Sequence, residues 1–570
     1  MHRTTLLPAL LLLGVAPISA QIVWPDEGVR TWAPRPTEAA ITANDLRTRL
    51  YQLADDSMMG RQVGTRGGVM ATDYIAAEFK RMGLLPAGEN GSYFQDIHYA
   101  RHGYDQARST LAVAGKALVP GTDWAPQAPS AAGALSGNAD LKAVPTVFGG
   151  RFGDSTTALT PAMVRGKVVV FTEPATTEVR TNFGTRRMQA PGNYTMAQDA
   201  GAAGVFVIGM PSDAAFRERT SIPTHTDGAT AVGATITAQV AEQLLGAPVS
   251  GLVVGAPGKA VTGRWSYAET PLEYPTRNVL GLLPGSDPKL KGEYVILGAH
   301  NDHVGMVRGD IKPEHDSLRA FNTVLRPQGA NDRVALDAVT PAEWAEINAL
   351  IAHARSIRPA RIDSVNNGAD DDGSGTAVLL EIAERMANGE RPKRSILFNS
   401  HAGEEAGLLG SSYFVDHPTI PLDSVSAALN MDMLGKGRVT DVKFGGPNSV
   451  QMLGSRRLSS EYGDLIDSLN AVRDEPMAID YSWDRTNALN RFCRSDQVNY
   501  IRKGIPTTYF SLGYARDYHQ PTDEPQYIDY DHGARLGRFI HDIALTIGNR
   551  PNKLAILPVE EQDQSARCGR

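Results

Sequence analysis

The sequence predicts an α/β protein: a mixed, largely parallel central sheet flanked by helices, with an inserted small β-rich domain. Three observations carry this. From Tyr274 onward, short apolar segments (NVLGLLPG, EYVILGAH, SILFNS, SAALNMDM, GIPTTYFSLG) alternate with helical patterns such as TAVLLEIAERMA, as parallel strands joined by helical crossovers require. From Ser109 to Gly263 the pattern changes to short Val- and Ala-rich strands broken by Gly and Pro. At 570 residues, the chain is also longer than one hydrophobic core usually serves.

In chain order, the first segment is 1–20, read as a signal peptide. His2 and Arg3 precede an apolar stretch from Leu6 to Val15, and Ser19 and Ala20 stand where a signal peptidase cuts. The stretch is too short for a bilayer of about 30 Å. The expectation is export, to a periplasm or the cell exterior, with no membrane span. Residues 21–108 hold two helices, within ANDLRTRLYQLA and ATDYIAAEFKRMG, the second ending at Gly83; GRQVGTRGG between them reads as a plain loop. Residues 109–263 form the inserted domain, with strands in GKVVVFTEP and AGAAGVFVIGMP but no metal-ligand cluster, so no chemistry is assigned to them.

Residues 264–550 carry the main α/β domain. A long insertion, 306–364, contains TPAEWAEINALIAHA, where Thr340, Pro341 and Glu343 make a capping-box start to a helix. Because it joins two candidate ligand loops, it is expected to line the mouth of a cleft and narrow substrate choice. The tail is 551–570. Cys493 and Cys568 are the only two cysteines, too few for a disulfide scaffold, and whether they pair is left open. A net charge of −7 with no long Lys/Arg run excludes the electrostatic footprint of a nucleic-acid binder. Oligomeric state is not addressed by the sequence.

Ligands in α/β folds gather at the carboxyl ends of strands, and five polar motifs fall there. In GAHNDHVG a strand delivers His300, and Asp302 is placed to orient its ring by accepting the other N–H. In NNGADDDGSG, Asp370, Asp371 and Asp372 crowd before a helix, and buried adjacent carboxylates call for a cation. Calcium is a rival here, since Asp370, Asp372, Ser374, Gly375 and Glu381 fall at EF-hand spacing; the missing entering helix and the apolar Val378 weaken it. In HAGEEAGLLGS, the pair Glu404 and Glu405 suits hydrolysis, one carboxylate ligating metal while the other moves a proton; His401 reads as structural. LNMDML sets Asp432 in an apolar strand, and DYHQPTDEP offers His519 with Asp523 as a support. Imidazole and carboxylate without thiolate are donors that zinc accepts.

This ordered set, GAHNDHVG, GADDDGSG, HAGEEAG, NMDM and YHQPTD, resembles the clan MH zinc aminopeptidases, metallopeptidase family twenty-eight, over roughly Tyr274 to Asn549 and the helices from Ala43 to Met82. The segment around GKVVVFTEP and DAGAAGVFVIG resembles the protease-associated domain. The resemblance implies the zinc exopeptidase fold, two zinc ions per chain, and peptide substrates with a free amino terminus. It implies that Asp371 bridges the ions, one held also by His300 and Asp432, the other by Glu405 and His519. It makes Glu404 the general base and gives Asp372 the place after a cis peptide. Relatives on the same fold include carboxypeptidases, for which Arg485, Arg491 and Arg494 are candidate carboxylate clamps, and single-zinc glutaminyl cyclases, which five ligand positions disfavour. Gln497 stands where many members have histidine, which puts substrate positioning in question more than metal binding.

Overall fold

Segments such as YVILGAH and SILFNSH carry apolar residues on both faces, so a sheet built from them must be covered on both sides. In the computed structural model, four such strands lie parallel at the centre of a nine-stranded sheet, in the order Ser395–His401, Tyr294–His300, Val425–Met431 and Thr507–Ser511. Thr276–Leu283 flanks them antiparallel on one side and Ser449–Leu453 on the other, which makes the sheet mixed. The structure describes residues 22–570 apart from 130–134, 153–158, 173–175, 182–183, 190–199, 222–229, 328, 331–334, 437–445, 485–489, 563–567 and 569–570; of 176–189 only the backbone is described. The expected leader, 1–20, and Arg485 lie outside these residues. Among those described, no helix is long and apolar enough to cross a membrane.

One face of the sheet is covered by Gly375–Asn388, Tyr530–Asn549 and the amino-terminal helices Ala43–Leu53 and Arg66–Arg81, whose apolar residues share one core with the strands. The other face packs Leu280, Ile296 and Leu397 against Phe414, Val415 and Tyr500. The first helix starts at Thr42, whose hydroxyl accepts from Asp45 N, and the second ends before Gly83, where φ is +77°. Arg49 joins the layers. Its buried guanidinium bonds Glu381 (2.5 Å), Glu384 (2.5 Å) and Glu78 (2.5 Å). Glu381 is fully buried, so Arg49→Leu leaves a carboxylate without compensation, and chemical unfolding is expected to show about 3–5 kcal/mol lost. A loss under about 1 kcal/mol would mean that the pair adds nothing beyond its apolar packing.

A second nine-stranded sheet draws its strands from Thr110 to Trp265 and encloses apolar clusters of its own, one around Trp124, Phe206 and Trp265, another around Phe152 and Phe171. The insertion holds two helices, His315–Leu325 and Pro341–Ile357, the latter with the capping box of Thr340 and Glu343 in place. Their shared apolar cluster takes in Trp24 and Tyr527. Buried Arg319 lies over the Tyr527 ring at 3.4 Å and donates to Asp517 at 2.9 Å, so the insertion braces the loop that carries His519. Cys493 and Cys568 are joined, with Cα atoms 5.8 Å apart, and the bond fastens the tail beside Phe492 and Val498.

Candidate metal centre

All four parallel strands end at one place. His300 is the last residue of its strand, Asp432 follows Met431 directly, Glu404 and Glu405 come after His401, and His519 lies in the loop beyond Ser511. Asp371 reaches the same point from the turn Ala369–Ser374 that opens the helix Gly375–Asn388. Gly368 begins that turn at φ +57°, and a Cβ there would stand 2.3 Å from Asp371 O and 2.5 Å from His303 Cγ, so only glycine fits. The peptide between Asp371 and Asp372 is cis.

The other four expected ligands converge on Asp371. Its Oδ1 lies 3.1 Å from His300 Nε2, which is 3.7 Å from Asp432 Oδ1. Its Oδ2 lies 3.0 Å from His519 Nε2, which is 2.9 Å from Glu405 Oε1. Two donor groups therefore share one carboxylate: His300, Asp371 and Asp432 on one side, His303, Asp371, Glu405 and His519 on the other. A cation fits both. Glu405 Oε1, Asp432 Oδ1 and His519 Nε2 are buried without a hydrogen-bond partner, although opposite donors crowd around them. Buried lone pairs aimed at a common point and bonded to nothing are what a metal would satisfy.

The supporting residues hold backbone in place. Asp523 accepts from Asp370 N (3.0 Å) and Asp371 N (3.2 Å) and pairs with Lys436 at 2.6 Å. Asp372 accepts from His300 N, Gly375 N and Met433 N, joining three ligand segments. Asp302 serves more than the ring of His300. The nearer partner of His300 Nδ1 is the Asp302 carbonyl at 3.1 Å, its carboxylate being 3.5 Å away, while that carboxylate accepts from Gly403 N (2.8 Å) and Glu404 N (3.1 Å). The Asp302 carbonyl takes the ring N–H at the shorter distance, and the Oδ1 that neighbours the ring also fixes the Glu404 turn.

The calcium reading fails on its residues. Asp370 Oδ1 accepts from Gly435 N and Ser374 Oγ, Asp372 is taken up by backbone, and Glu381 belongs to Arg49. Electrostatics separate the carboxylates that remain. Burial opposes the charge on Asp371, yet its bonds to His300 and His519 hold its pKa well below the usual carboxylate range. Burial pushes Glu404 well above that range; the charge of His300 opposes this, and those of Glu405, Asp432 and Asp496 add to it.

Two contributors went unread in the sequence. GRQVGTRGG is not a plain loop, for Arg61 is fully buried and donates to the carbonyls of Asn301 (3.1 Å), Leu53 (2.9 Å), Asn367 (2.6 Å) and Gly368 (2.7 Å). It clamps the backbone that follows His300 to the backbone that precedes Asp371. Only its glycine-rich setting hinted at this. The other is His303, in the same motif as His300. Of the remaining candidates, His401 is structural, its Nε2 2.7 Å from the Tyr500 hydroxyl. Gln497 is buried, accepting from Asn430 (2.9 Å) and donating to Phe492 O (2.6 Å), so it supports the sheet rather than the cleft. Arg491 is buried, bonded to Gln451 and stacked on Trp483 and Tyr514; Arg494 lies over the Tyr514 ring at 4.9 Å.

Residues 278–544 match the family described as Peptidase family M28. Among curated proteins, a vacuolar membrane protease of Yarrowia lipolytica is 42% identical over 81 residues, 14% of this chain and 8% of that protein. Leucine aminopeptidase 1 of Fusarium vanettenii is 24% identical over 257 residues, 40% of this chain and 62% of that one. The chain thus spans under two thirds of each of these relatives. Among solved structures, the aminopeptidase from Aneurinibacillus sp. strain AM-1 aligns over 91% of this chain and 96% of its own, with 17% identity and a TM-score of 0.41. The region from 278 to 544, which matches Peptidase family M28, supplies all five convergent ligands.

Proposed function

We propose that the protein is a zinc-dependent aminopeptidase that removes the amino-terminal residue of peptides with two metal ions, one in each donor group. The observation that carries this reading is Asp371, whose two oxygens face separate sets of imidazole and carboxylate donors, with Glu404 beside them. Zinc bound there would supply Lewis acidity, lowering the pKa of water and polarising the scissile carbonyl.

The chain's own residues do the rest. Glu404, outside both donor groups, takes the proton of the attacking water on its carboxylate and returns it to the departing amine. Asp302 fixes the Gly403 and Glu404 amides, so the carboxylate meets the substrate from a rigid turn. Tyr518 stacks on His519 at 3.8 Å and holds that ring against Glu405 and Asp371. A substrate's α-ammonium group suits the carboxylates gathered around Glu404, which include Glu405 and Asp432. The leader motif supports export as part of this reading, and the second sheet, with parallel strands Val168–Thr172 and Gly204–Ile208, suits a protease-associated domain.

The test compares one peptide with free ends, with a blocked amino end and with a blocked carboxyl end, before and after chelation. Acetylation of the amino terminus is expected to abolish cleavage, amidation of the carboxyl terminus to leave it intact, and chelator to remove activity that added Zn2+ restores. The opposite blocking pattern would point to Arg494 as a carboxylate clamp and to a carboxypeptidase. Activity untouched by chelation would end the metal reading altogether.

A further inference from the structure

The loop that delivers His300 delivers a second imidazole three residues later. His303 is fully buried, with Nδ1 2.9 Å from Glu405 Oε1 and 3.9 Å from Asp371 Oδ2, and its ring stands edge-on to that of His519 at 5.4 Å. Neither of its nitrogens has a hydrogen-bond partner, the same lack that marks Glu405 Oε1 and His519 Nε2. Its Nδ1 meets Glu405 Oε1 at ion-pair distance without the geometry of a hydrogen bond, and a buried imidazole left so is costly unless another species completes it. The ring is also held deliberately: Gly368 leaves it room where any Cβ would collide, and His303 N donates to the carbonyl of Arg61 at 3.4 Å.

Spacing favours a cation over a hydrogen bond as the missing species. His303, Asp371, Glu405 and His519 each offer one donor atom, and these four atoms lie within 4.8 Å of one another. Four ligands at about 2.1 Å from zinc in a tetrahedron are about 3.4 Å apart, the middle of the separations found here. We propose that His303, through Nδ1, is a fourth protein ligand at the Glu405–His519 position. This rests on the two-metal reading above and adds an asymmetry to it. The Glu405–His519 position has four protein donors and the His300–Asp432 position three, so the first keeps its ion more tightly and the second exchanges more readily.

The experiment titrates Co2+ into metal-free full-length protein, following heat and the visible absorption of the bound ion. Wild type is expected to take two ions in distinct steps. His303→Phe, which keeps a ring but no donor, is expected to weaken the tighter step by tenfold or more and alter its absorption band, with the second step unmoved. His303→Gln, which can still donate to Glu405, is expected to recover neither, and it carries the test if the phenylalanine variant does not fold. Unchanged titration and spectrum in either variant would overturn the proposal, as would full recovery by glutamine or equal weakening of both steps. Fewer than two ions in wild type would instead refute the two-metal reading, and this inference with it.

Discussion

Glu404→Gln is expected to lower kcat on an aminoacyl substrate by about 10²–10⁴-fold while metal content and KM stay near those of the wild type. The reasoning is geometric. Glu404 belongs to neither donor group, so its loss removes no ligand, and its backbone amide is held by Asp302 whatever the side chain is. Glutamine has the same shape and cannot take a proton. Steady-state kinetics beside metal analysis check this. A loss of less than about tenfold would take the proton transfer away from Glu404, and a loss of metal would make it a ligand instead.

The second large effect concerns Asp371. Asp371→Asn is expected to weaken both ions together, each by roughly 100-fold or more, because one carboxylate serves both groups and an amide offers neither its charge nor its second anionic oxygen. Asp432→Asn, touching one group only, is expected to weaken one ion and spare the other. Titration of the metal-free variants separates the two patterns. If Asp371→Asn lost a single ion, Asp371 would not be shared, and the proposed mechanism would need another source for its second metal. The turn should survive the change, since Asp523 holds it through the Asp370 and Asp371 amides and not through the Asp371 side chain.

Much of this was legible because strand ends are legible. An apolar run that stops at a histidine or carboxylate shows in one dimension where a side chain will emerge, and His300 and Asp432 follow that rule. His519 and Asp371 lie in turns, and their places depended on the resemblance carried by the whole ordered set. Asp302 shows the limit of reading by proximity. Two residues from His300, its carboxylate lies 3.5 Å from that ring, and it also serves a loop about a hundred positions away, because sheet order sets the Ser395–His401 strand beside it. The triple aspartate shows another: spacing admitted calcium, and only the partners of Asp370, Asp372 and Glu381 removed it.

Sequence alone determined the fold class, the donor types and the chemistry they permit, since periodicity and side-chain identity are local properties. Tertiary structure alone decided which further atoms meet: that Arg61 clamps the two ligand loops from behind, that the insertion braces the His519 loop through Arg319, and that His303 turns inward. Each of these is a contact between segments far apart in the chain or a choice of side-chain direction. Both are set by how the layers pack, a quantity that no stretch of residues carries by itself.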